Sequence, residues 1–89
     1  REELEAALDD APKAVQVLVR VPSPDISEVP VREALEVVRT ARKHRERAVT
    51  RQELDELHEA LETVATFTRE REATRQARRR KQQHLLLLS

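Results

Sequence analysis

The chain has no glycine, cysteine, methionine, tryptophan or tyrosine, and its one aromatic residue is Phe67. Without cysteine there is no disulfide framework, no thiolate zinc site and no thiol nucleophile. Without glycine there is no phosphate-cradling loop of the P-loop or dinucleotide type, and no tight glycine-dependent hairpin or nucleophile elbow. A single aromatic excludes the base-stacking platforms of RNA-recognition sheets and single-strand binders. No stretch nears the roughly 18–20 apolar residues of a membrane span. The longest aliphatic run is Leu85 to Leu88, too short even for a signal-peptide core. The first residue, Arg1, reads as the start of a fragment, a processed form or a trimmed chain.

What remains is charge and aliphatic residues in equal measure, each 38% of 89 residues. That is material for one small domain with a modest core. The 17 basic and 17 acidic side chains cancel, which disfavours polyanion binding by the whole surface. The cancellation hides a gradient. Residues 1–30 hold three basic and seven acidic side chains, residues 31–68 seven and eight, and residues 69–89 seven and two. A basic interaction tail produces such a gradient, and so do charges placed to complement helix dipoles.

Along the chain, residues 1–11 read as a short helical arm with Leu4, Ala7 and Leu8 in a stripe. Residues 14–21 then change period. Val15, Val17, Val19 and Val21 alternate with Gln16, Leu18 and Arg20, and Pro22 closes the run. Alternating β-branched residues predict a strand; the competing pattern is a helix through Val15, Leu18 and Val19. No second strand candidate exists, so a strand here predicts pairing with another chain through Val15, Val17, Val19 and Val21. Residues 22–30, with Pro22, Pro24 and Pro30, form an extended connector. Asp25 with Glu28, or Ser27 ahead of Pro30, would open the next helix.

Residues 31–68 predict a helical hairpin. Its first helix, Val31 to Arg47, carries Val31, Ala34, Leu35, Val38 and Ala41 on one face. Thr50 and Glu53 form a capping box that opens the second helix, where Leu54, Leu57, Leu61 and Val64 follow a 3–4–3 spacing. Folded back through the 48–50 turn, the two stripes match in length. Continued past Val64, the stripe reaches Thr68, Arg71, Arg75, Arg78 and Gln82, which ends any coiled-coil seam. Helix propensity persists through residues 69–83, REREATRQARRRKQQ, so residues 69–89 predict a basic helical tail with an apolar tip. The fold class is therefore mainly α: an antiparallel αα-hairpin, a long protruding C-terminal helix, and one short N-terminal strand that pairs outside the monomer.

Chemistry-bearing constellations are few. Asp55, His58 and Glu62 echo the carboxylate-x-x-His spacing of bundle metal sites, but a solvated histidine on an acidic helix shows the same pattern, and no metal or cofactor is expected. No serine, threonine or lysine stands beside a base in a nucleophile motif, so no catalytic residue is assigned. The tail is the strongest signal: Arg69, Arg71, Arg75, Arg78, Arg79, Arg80 and Lys81, followed by Leu85, Leu86 and Leu88. Arginine's planar fork suits carboxylate and phosphate alike, so an acidic protein surface and a nucleic-acid backbone along residues 69–81 both remain open. These features predict a non-catalytic interaction or assembly subunit of a protein or ribonucleoprotein complex, with other protein chains as partners and a homodimer as one form. In element order, strand then two helices, residues 14–66 resemble the ribbon-helix-helix repressors. That resemblance implies a dimeric DNA-binding regulator whose paired strands would read bases through Gln16 and Arg20.

Overall fold

A computed structural model describes residues 2–88, the side chain of Leu88 excepted. Four helices follow one another: α1 (Glu2–Asp9), α2 (Lys13–Arg20), α3 (Val29–Lys43) and α4 (Arg51–Leu88). There is no strand among the described residues. The predominance of helix and the long C-terminal helix packed on the others match the sequence reading; the N-terminal strand does not.

Residues 13–20 are helix, and the four valines show why. Val15 and Val19, one turn apart, are 1% and 5% exposed, and Leu18 packs beside them. Val17 lies on the opposite side at 54% exposure, and Val21 is exposed just beyond the helix end. Two buried valines at i and i+4 are what a helix offers a core, whereas a strand would have turned all four to one face. Burial of Val15 and Val19 thus outweighs the β preference of the run. The assigned intermolecular pairing through Val15, Val17, Val19 and Val21 has no strand to carry it, and neither has the ribbon of the ribbon-helix-helix resemblance.

Eight residues are marginal for an isolated helix, so α2 depends on its neighbours. Pro12 precedes it, and the Pro12 carbonyl accepts from the amides of Val15 and Gln16. The Gln16 side-chain amide donates to the carbonyls of Asp9 and Ala11, at 3.1 and 2.8 Å, which holds the turn between α1 and α2. At the other end Arg39, on α3, donates from Nε to the Val19 carbonyl at 3.1 Å and from Nη2 to the Val21 carbonyl. These bonds satisfy acceptors that an α-helix leaves open at its C-terminus. Gln16 and Arg39 are therefore fastenings of the fold.

Helices α3 and α4 pack along one another as a helical hairpin, and α1 and α2 each contact both. The core gathers Leu4 and Leu8 from α1, Val15 and Val19 from α2, and Val31, Ala34, Leu35 and Val38 from α3. Helix α4 adds Leu54, Leu57, Ala60, Val64 and Ala65, and the connector adds Ile26. Leu61, expected in the stripe, is only half-buried, while the smaller Ala60 and Ala65 are buried. Helix α3 begins at Val29 after Glu28, with no side-chain cap and a proline in its first turn. It ends at Lys43, four residues before the expected Arg47. The chain turns at His44 and Val49 then packs against the core.

The capping box is present in both directions. The Glu53 amide donates to Thr50 Oγ1 and the Thr50 amide donates to Glu53 Oε1, each at 3.1 Å. Hydrogen bonds from the Thr50 backbone N–H, then from Thr50's hydroxyl, lower the Glu53 pKa below the usual carboxylate value, and Arg47 adds to this. The folded pKa is thus below the unfolded one. This contribution to stability is complete above the unfolded value and is lost as pH falls through the folded one. Thr50→Ala should cost about 1 kcal/mol in denaturant unfolding at pH 7. The gap between wild type and Glu53→Gln should narrow as the pH drops into the acid range. A gap that widens on acidification would contradict the box.

Candidate functional site

Helix α4 is 38 residues long, but its neighbours cover only its first half. Ala65 is its last buried residue, and Thr66, Phe67 and Thr68 are half-buried. Every described side chain from Arg69 to Leu87 is exposed. The chain still stays helical, because Ala73, Gln76, Ala77 and the arginines are strong helix formers and no proline follows residue 30. At 1.5 Å per residue, about 30 Å of helix projects from the body. The molecule accordingly measures 60 × 23 × 20 Å, and its radius of gyration is 16.4 Å. A compact domain of this length would have about 12 Å.

The cations of the tail surround the helix instead of sharing one face. Arg71, Arg75 and Arg78 continue the side that carries Val64, at i, i+4 and i+7 spacing. Arg69 and Arg80, three turns apart, lie toward the outward side. The root of the tail is fastened to the body. Arg69 reaches Glu62 Oε1 at 3.4 Å and Thr66 Oγ1 at 3.2 Å, and the Arg71 guanidinium lies 5.9 Å from the Phe67 ring centroid. Arg75 pairs with Glu72 at 4.0 Å. Beyond it, Arg78, Arg79, Arg80 and Lys81 have no ion pair among the described residues. Exposed pairs of this kind contribute about 0–1 kcal/mol each, so ion pairing does not hold the rod together.

Where the connector meets the tail, Asp25, Ser27 and Glu28 face Phe67, Glu70, Arg71, Thr74, Arg75 and Arg78 across a groove of about 550 Å³. Carboxylates from the connector oppose Arg71, Arg75 and Arg78 there, so the unopposed positive potential lies further out, from Arg79 to Lys81. Leu85, Leu86 and Leu87 follow at 58%, 74% and 86% exposure. The side chain of Leu88, assigned to the same tip, lies outside the described residues.

Gln16 and Arg20, the base-reading pair of the repressor resemblance, do not act together. Gln16 is turned into the α1–α2 junction and Arg20 is exposed at the end of α2. Asp55 and Glu62 pair with Arg51 and Arg69, and no group of three metal-ligating side chains converges among the described residues. No described helix is long and apolar enough to cross a membrane.

A second basic region escaped the sequence reading. Arg20, Arg39, Arg42, Lys43 and Arg45 rim a cleft of about 460 Å³ between α2 and α3, floored by Leu8, Val15, Val19 and Val38. Arg45 pairs there with Asp9 at 3.5 Å. In the sequence, the run ARKHRER, residues 41–47, is legible as a basic helix end that includes Arg42, Lys43 and Arg45. Only the helical form of residues 13–20 brings Arg20 beside them.

Compared with known proteins, the chain matches no family model, no curated protein and no solved structure. Its functional reading rests on its own geometry.

Proposed function

We propose that this chain is a non-catalytic interaction or assembly subunit, which docks into a larger protein or ribonucleoprotein complex through its basic C-terminal helix. The observation that carries this reading is the exposure of the whole second half of α4, from Arg69 to Leu87, in a chain whose other helices cover one another. A helix that is polar all round is partner-bound, held by ion pairs, or solvated. Among the described residues only Arg69 and Arg75 of the tail have an ion pair, and Arg78 faces the connector's carboxylates, which leaves the charge of Arg79 to Lys81 for a partner. The apolar end at Leu85 to Leu87 favours a protein component in that partner, since a phosphate backbone offers leucine nothing to pack against.

The test uses fluorescence anisotropy with two probes, a polyglutamate peptide and a short DNA duplex, across a salt series. Wild type should bind at least one of them, with affinity falling as salt rises. Replacing Arg75, Arg78, Arg79 and Arg80 together by Gln should weaken that binding at least tenfold, on the order of 1.4 kcal/mol or more, and flatten its salt dependence. The helical circular dichroism of the body should be retained. If wild type binds neither probe, or the fourfold variant binds as wild type does, the tail is a solvated helix and the reading fails.

A further inference from the structure

The two halves of α4 are matched to each other in length and in charge. The covered half, residues 51–68, is about 27 Å long and the projecting half, residues 69–88, about 30 Å. The covered half carries Glu53, Asp55, Glu56, Glu59 and Glu62 against Arg51; the projecting half carries seven basic residues against Glu70 and Glu72. A helix acidic over its first half and basic over its second is complementary to itself when reversed.

We propose that a second copy of this chain occupies the tail, with the projecting half of each α4 lying antiparallel along the covered half of the other. This inference rests on the tail being a contact surface, and it names the partner. The surface available for it is the side of α4 turned away from Leu57 and Val64. There Asp55, Glu59, Glu62, Thr66, Arg69 or Glu70, Ala73, Ala77, Arg80 and His84 follow one another at three- and four-residue steps. All are exposed except the half-buried Thr66.

Reversing α4 on itself about the Arg69–Glu70 peptide gives one consistent register. Arg69 of each copy meets Glu70 of the other, so the centre is satisfied twice by one symmetry operation. Thr66 meets Ala73 and Glu62 meets Ala77, and the small alanines at 73 and 77 let the backbones approach. Glu59 meets Arg80. Glu59 and Arg80 have no ion pair within the chain among the described residues, so each is free to take the other. A parallel pairing would instead set acid on acid and base on base along the whole helix, which costs stability.

The experiment is sedimentation equilibrium of the full chain and two charge-reversed variants. One carries Glu59→Arg with Glu62→Arg, the other Arg80→Glu with Lys81→Glu. All four positions are exposed, and circular dichroism confirms that each variant is folded. Wild type should show a dimer at concentrations up to about 0.5 mM, dissociating as salt is raised from about 50 to 500 mM. Each variant alone should dimerise at least tenfold more weakly. Their equimolar mixture should recover a heterodimer, because each reversed patch then meets its complement. A wild type that stays monomeric, a variant that dimerises as wild type does, or a mixture that recovers nothing overturns the proposal. A monomeric wild type that still binds polyglutamate or DNA removes the second copy and leaves the contact surface standing. A monomer that binds neither removes both.

Discussion

Leu57→Ala is expected to destabilise the chain by about 2–5 kcal/mol, the range for truncating a fully buried leucine. Leu57 is 1% exposed and sits in the covered half of α4, which all three other helices touch. Truncation leaves a void that a small body cannot collapse to fill, because Leu4, Leu35 and Val38 are themselves fixed by helices on several sides. A domain of this size has about 5–15 kcal/mol in total, so the loss is a large share of it. The thermal midpoint should fall by about 10 °C or more. Leu61, one turn further along the expected stripe, provides the contrast. It is half-buried, so Leu61→Ala should cost less than half as much in the same denaturant titration. Equal losses at the two positions would mean that α4 is rotated from the orientation described.

Val15→Asp should be nearly as damaging, and Val17→Asp nearly silent. A carboxylate at position 15 would be desolvated on the apolar floor of the basic cleft, beside Leu8, Val19 and Val38, a burial worth about 3–5 kcal/mol against the fold. Val17 already faces solvent, and its substitution belongs with surface changes of about 0.5 kcal/mol or less. The ratio of the two effects separates the helix from the strand it replaces. In a strand Val15 and Val17 share a face and respond alike; in α2 they lie on opposite sides. Urea denaturation followed by circular dichroism measures both, and comparable losses would restore the strand.

These two positions also show where the sequence was readable. The hairpin was legible because independent signals agreed: the Thr50–Glu53 box set a boundary, and the stripes on either side of it had the helical period. The same agreement was absent at residues 14–21. Four valines at every second position satisfy a strand, while Val15, Leu18 and Val19 satisfy a helix. Only tertiary burial decides between these patterns, and local sequence does not contain it. Once the segment is helix, it has a place in the monomer, and the mate that a strand would have needed is no longer required. The burial of Ile26 in a proline-rich connector, and the grip of Arg39 on the end of α2, join positions far apart in sequence and carried no local signature. For the tail, its basic residues and its helicity could be read directly. How they are spread around the helix, and which of them the connector's carboxylates oppose, follows from where α4 leaves the body.

The continuity of α4 has a consequence for how the tail orders itself. Starting a helix is unfavourable by a factor of about a thousand, near 4 kcal/mol, whereas extending one costs almost nothing in residues such as these. Residues 69–88 never meet the initiation step, since the packed turn at Val64 serves as their first turn and each further residue only adds to it. The tail therefore melts and reforms from its leucine end inward, one turn at a time, with the body intact. Backbone amide protons beyond Arg69 should exchange with solvent progressively faster toward the tip, while those from Leu54 to Ala65 wait for the whole body to open. A partner that closes on the tip would remove that gradient, so proton exchange along this one helix reports whether the tail is occupied.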